Sequence, residues 1–123
     1  MAPAVVDRGP VPDSSVWSVP PPLVPACGFR WGPVELVVPT SAAQLRSWGQ
    51  VLHNCLGDYS PAVMAGRSWL IGVRCDEVLV GCAEVDPARR AIRQLLGPRN
   101  RPLPDRVRDD VVEALQFLGL HSW

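Results

Sequence analysis

Leu45, Trp48, Leu52, Cys55 and Leu56 recur at helical spacing and predict an amphipathic helix over residues 41–55. Ser41 followed by Gln44 forms a capping box at its start, with Pro39 just outside, and Gly57 offers a stop. Upstream, Val34-Glu35-Leu36-Val37-Val38 reads as a short edge strand. Residues 58–66 read as a second, short helix with a glycine stop. The pattern then changes period. Residues 69–74 and 78–85 are β-rich runs joined by Cys75-Asp76-Glu77, which predicts a hairpin, and residues 91–96 follow as a third strand after the turn Asp86-Pro87-Ala88-Arg89-Arg90. Residues 97–104 are a proline-rich loop. The last helix spans residues 105–118, with Val107, Val111, Ala114, Leu115 and Leu118 on its apolar face and Gly119 at its end. The predicted fold is α+β: a small antiparallel sheet of three or four strands, covered by an N-terminal helix pair and a C-terminal helix.

Strand alternation places Val78, Val80, Cys82 and Glu84 on one face, and Ile92, Gln94 and Leu96 on one face of the next strand. Each of these apolar faces carries one polar residue. A buried carboxylate or amide is costly unless hydrogen-bonded. Either the opposite face is the covered one, or Glu84 and Gln94 are partnered beneath the helices, as in a binding pocket or as a simple mutual contact.

Nine of the fourteen prolines precede residue 40, and Pro20-Pro21-Pro22 lies in a stretch without apolar period. Residues 1–26 are therefore expected to form a flexible, proline-rich arm, and residues 27–123 a single domain. No cationic start followed by an apolar run suggests a signal peptide, and no apolar stretch approaches the ~20 residues that span a bilayer. A cytoplasmic protein without membrane contact is expected, with Cys27, Cys55, Cys75 and Cys82 as thiols.

The formal net charge is zero, but its distribution is uneven. All twelve basic residues are arginine, and seven of them lie between Arg89 and Arg108, against one acid, Asp105. Such a patch attracts phosphate, although a solvated surface has the same composition. Arg99 and Arg101 flank Asn100 in the loop and suggest an anion clamp.

The densest candidate chemistry is Leu52-His53-Asn54-Cys55-Leu56-Gly57-Asp58-Tyr59. On a regular helix, residues two apart diverge by ~200°, so His53 and Cys55 do not share a small metal ion. The cysteines have no Cys-x-x-Cys pair and fit no common zinc finger. No metal and no cofactor are expected. Tyr59 follows Cys55 by one helical turn and falls on its side, while His53 falls on the opposite flank near Arg46. A Cys–His nucleophile pair would require the helix to break before Cys55.

Cys55, Tyr59, Gly66, Arg74, Glu84, Gln94, Gly97 and Asn100 together form an ordered set. With this set the chain resembles the PcfJ-like family, named for a component of conjugative plasmid-transfer operons and found also in phage-like and other mobile elements. The resemblance runs from about Val34 to Leu118. It departs where family members often carry a threonine shortly before the glutamate; here the run is Gly81-Cys82-Ala83-Glu84. It implies a plasmid or phage setting and a nucleic-acid process, without fixing a reaction.

Three functions fit these observations. The first is a non-catalytic module that binds nucleic acid or a nucleoprotein complex through the Arg89 to Arg108 patch. The second is a small metal-independent nuclease or related transferase; helices followed by a meander resemble compact ribonuclease toxins at the level of fold. Its catalytic candidates are His53, Glu84 and Tyr59, with Cys55, Arg74, Gln94, Arg99, Asn100 and Arg101 as binding candidates. The third is a factor that binds a host protein through the proline-rich arm.

Overall fold

Five strands pair antiparallel in the order β1-β2-β3-β4-β5, in a computed structural model that describes residues 11–121. They are β1 (Arg30–Trp31), β2 (Val34–Val37), β3 (Trp69–Cys75), β4 (Val78–Asp86) and β5 (Ala91–Leu96). The helices are α1 (Ala42–Leu52), α2 (Ser60–Met64) and α3 (Asp105–Phe117). The fold is α+β as expected, but the sheet has five strands where three or four were read. The extra strand β1 holds two residues, too few to show alternation.

The two long helices lie on opposite faces. On one, Leu36, Ile71, Val73, Ala83, Val85 and Ile92 pack with Val111, Ala114 and Leu115 of α3. On the other, Leu45, Trp48 and Leu52 of α1 pack with Leu56, Leu70 and Cys82. Covering both faces explains why β3 is buried over its first five residues, which read as a continuous apolar run.

The start of α1 follows the sequence. Ser41 Oγ accepts from Gln44 N at 3.0 Å, and Gln44 Oε1 accepts from Thr40 N at 2.9 Å. Its end does not. His53 adopts left-handed backbone (φ 53°, ψ 52°) and stops the helix three residues before Cys55. The N–H groups of His53 and Asn54 both donate to Gly49 O. This is the closure that glycine usually makes at a helix end. The ~200° divergence expected for His53 and Cys55 therefore does not apply, because Cys55 lies beyond the helix.

Two β-bulges correct the predicted strand faces. Val73 pairs with Gly81 but Arg74 with Leu79, so Val80 is an extra residue on β4. Glu84 pairs with Gln94 but Val85 with Ile92, so Arg93 is an extra residue on β5. A bulge interrupts the two-residue alternation. Val80 and Ile92 thus join the α3 side, while Cys82, Glu84, Gln94 and Leu96 lie on the α1 side.

The arm also differs from expectation where the structure describes it; residues 1–10 of the expected arm lie outside the described residues. From residue 11 to 26 the chain lies against the domain. Val16 bridges to Ser41, Trp17 Nε1 donates to Pro39 O at 2.9 Å, and Arg46 Nη2 meets Asp13 Oδ1 at 2.7 Å. Pro21–Ala26 forms a 3₁₀ turn that buries Leu23 and Ala26, three residues apart and so on one side. No helix among the described residues is long and apolar enough to cross a membrane.

Trp48 fixes α1 to the sheet through a glycine. A Cβ built on Gly72 would lie 2.6 Å from Trp48 Cη2. Gly72→Ala is expected to destabilise the fold by about 1–3 kcal/mol, read by urea unfolding, because the new methyl must displace an indole that is itself buried in the α1-side core. A change below about 0.5 kcal/mol would show that the helix rides freely on the sheet.

Candidate functional site

The α1 side of the sheet presents two cross-strand rows next to each other. Leu70, Glu84 and Gln94 are register partners across β3, β4 and β5, and so are Gly72, Cys82 and Leu96. Trp48 covers the Gly72 end. Beside it, Leu70, Cys82, Glu84, Gln94 and Leu96 floor a cavity of about 290 Å³. Asn54, Cys55, Leu56 and Tyr59 wall it from the segment after α1, and Asn100 closes it from the turn after β5.

Glu84 organises the polar part. Its Oε2 accepts from Ser68 Oγ at 2.7 Å and from Arg93 Nη1 at 3.1 Å. Its Oε1 accepts from Gln94 Nε2 at 2.9 Å. Arg93 Nη1 also donates to Ser68 Oγ at 2.7 Å and Arg67 O at 3.2 Å, and its Nη2 lies 3.7 Å from Asp86 Oδ2. The β5 bulge makes this possible, because consecutive residues, Arg93 and Gln94, reach the same carboxylate where regular alternation would send them to opposite faces.

The carboxylate also fixes the direction of the Gln94 amide. A carboxylate only accepts, so the NH₂ group must face Glu84. The same Nε2 lies 3.1 Å from Tyr59 Oη. Gln94 therefore donates to both groups, and the Tyr59 oxygen accepts. Burial first, and then the charge of Glu84, raise the Tyr59 phenol above its ordinary value. Tyr59 keeps its proton at neutral pH, and that proton is given to no side chain among the described residues.

The walls are set by local backbone chemistry. Asn54 Oδ1 accepts from Leu56 N at 3.1 Å, an Asx turn that brings Asn54, Cys55 and Leu56 around the end of α1. Cys55 is an exposed thiol on this turn. Asn100 sits in a tight turn with Arg99, both at positive φ (60° and 58°), closed by Arg101 N donating to Pro98 O at 3.1 Å. Left-handed backbone is common for Asn and strained for Arg.

The structure thus brings Cys55, Tyr59, Glu84, Gln94 and Asn100 to one cavity and leaves other candidates outside it. His53 is exposed and serves as the left-handed end of α1. Arg74 lies toward the β3–β4 turn, next to Glu35 Oε1 at 3.9 Å, in a separate depression with Arg30 and Asp76. Arg99 and Arg101 are exposed on either side of Asn100 and do not line the cavity. The basic run is divided as well. Arg93 is held by Glu84, and the Arg90 guanidinium lies 5.9 Å from the Trp69 ring centroid. Arg89, Arg99, Arg101, Arg106 and Arg108 remain exposed, without an ion pair among the described residues.

Ser68, Asn54 and the positioning role of Arg93 escaped the sequence reading. Arg93 counted there only as one charge in a basic run. The usable signal was its place beside Gln94, opposite a lone acid in an apolar strand. Among the described residues, no three His, Cys, Asp or Glu side chains are placed to hold a metal ion.

The profile of the family described as PcfJ-like protein matches residues 26–112. That span includes every cavity residue. No curated protein and no solved structure matches the chain.

Cys82, in the floor, carries a consequence for stability. Burial pushes its thiol up to about 12, from an ordinary 9.0. The folded state therefore holds this proton between pH 9 and 12 while the unfolded chain releases it, and stability must fall as pH rises through that window. Cys82→Ala is expected to flatten the fall, by up to about 1.4 kcal/mol per pH unit, in urea titrations at pH 8, 9 and 10. An unchanged slope would mean the thiol is solvated.

Proposed function

The chain belongs to the PcfJ-like protein family, and from that premise we propose that it is a non-catalytic module of a mobile genetic element that binds single-stranded nucleic acid. One unstacked base enters the cavity, and the adjoining phosphates lie on its rim. The observation that carries this reading is the make-up of the cavity. A carboxylate, three carboxamides (Asn54, Gln94, Asn100) and a phenol meet over Leu56, Leu70 and Leu96, with no arginine among the lining residues. Apolar walls with a few fixed polar groups suit a flat heteroaromatic ring, and a cavity of about 290 Å³ has room for one such ring.

The charges sit where a backbone would need them. Arg99 and Arg101 flank Asn100, so a base at Asn100 brings its phosphates beside two exposed guanidinium groups. A base inside a duplex has no access to such a cavity, which favours single strands. Catalysis at a phosphate is less well supported, because Arg74, the candidate for steadying it, lies about four residues farther along β3 from Leu70, roughly 13 Å at strand spacing.

The test is fluorescence anisotropy with a labelled single-stranded oligonucleotide over a range of salt. Affinity is expected to fall linearly on a log–log plot. The double variant Arg99→Gln/Arg101→Gln is expected to bind more weakly, with a slope shallower by about 1.4, two phosphate contacts at ~0.7 each. Salt-independent binding, tighter binding to duplex, or no binding would overturn the reading.

A further inference from the structure

We infer that the cavity selects guanine. The inference rests on the base-binding reading above and follows from the hydrogen-bonding capacity that the Glu84 cluster leaves unused. Each polar group in the cluster has a fixed number of donors and acceptors. Glu84 Oε2 is filled by Ser68 and Arg93, whereas Oε1, among the described residues, accepts only from Gln94 and retains a lone pair. Gln94 spends both N–H bonds on Glu84 and Tyr59, and its carbonyl oxygen accepts no hydrogen bond among the described residues. Tyr59 accepts from Gln94 and has its O–H proton to give. The Glu84–Gln94–Tyr59 cluster therefore offers two acceptors, Glu84 Oε1 and Gln94 Oε1, and one donor, the Tyr59 hydroxyl. Asn54, whose Oδ1 is taken by Leu56 N, adds N–H donors at the wall.

This set is pre-positioned. Glu84 and Gln94 face each other across adjacent strands, and Tyr59 is tied to Gln94, so a ligand does not have to order them. The complement of two acceptors beside a donor is two donors beside an acceptor. Guanine has that edge: the N2 amino group and N1–H donate, and O6 accepts. Adenine offers one donor group and one acceptor on the equivalent edge. Cytosine, uracil and thymine each offer one donor group between or beside two acceptors. With any of these, at least one acceptor of the cluster faces another acceptor or is left unpaired, and an unpaired buried polar group is disfavoured strongly enough to set specificity.

The same edge occurs on a free guanine nucleotide, so the test includes both sources. Oligothymidylate strands carrying a single central dG, dA, dC or deoxyinosine, and guanosine 5′-monophosphate, are titrated against the whole protein. The dG strand is expected to bind about ten- to a hundredfold more tightly than the dA and dC strands. Deoxyinosine, which lacks only the N2 amino group, is expected to fall between. Tyr59→Phe keeps the ring and removes the donor, and is expected to narrow the dG preference while its unfolding midpoint stays close to that of the parent. Equal affinity for all four strands overturns the guanine inference and leaves single-strand binding standing. Guanosine monophosphate binding as tightly as the dG strand supports the inference and overturns the nucleic-acid reading. No binding by any of these ligands overturns both.

Discussion

The Glu84 carboxylate lies on a covered sheet face with 13% of its side chain exposed, and the polar half of the cavity is arranged around it. A charge in that position is tolerated only when it is paired and its oxygens are satisfied. Arg93 supplies the opposite charge, while Ser68 and Gln94 supply further hydrogen bonds. The direction of the Gln94 amide follows from the carboxylate, and the free proton of Tyr59 follows from that amide. A single ion pair thus propagates through three side chains to the surface a ligand would meet. The geometric condition is the bulge at Arg93, without which that side chain would face α3.

The rest of the architecture protects this arrangement. The α3 side is an apolar core in which Leu36, Ile71, Val73, Ala83, Val85 and Ile92 pack with Val111, Ala114 and Leu115. The α1 side is half closed: Trp48 lies on Gly72, and beyond Leu52 the chain leaves the helix through the left-handed His53. Had α1 continued in regular form, the Asx turn that brings Asn54, Cys55 and Leu56 around the cavity would not exist. The cavity is thus the space left where the helix stops early over β4 and β5. The tight turn carrying Asn100 closes it from the other side.

Much of this frame is written in short-range patterns. The Ser41–Gln44 cap, the apolar stripe of α1, the β3–β4 hairpin and the C-terminal helix all follow from local periodicity and turn chemistry. What periodicity misses is where it is interrupted. The bulges at Val80 and Arg93 reverse the faces of their neighbours, and no residue type announces them. A histidine in left-handed backbone ended α1, where glycine was the visible stop. The two-residue β1 and the packed stretch from residue 11 to 26 depend on contacts far along the chain. Cys55, Tyr59, Glu84, Gln94 and Asn100 stand out as unusual residues in apolar surroundings and line one cavity. His53 and Arg74 stand out equally and lie elsewhere, because residue type alone does not give direction.

Glu84 and Arg93 form one unit at the polar end of the cavity. A double-mutant cycle on Glu84→Ala and Arg93→Ala, followed by urea unfolding, measures that coupling directly. A coupling energy of about 1–3 kcal/mol is expected, with the double variant less destabilised than the sum of the single ones. Additivity to within about 0.5 kcal/mol would contradict it, because the two side chains would then be independent neighbours.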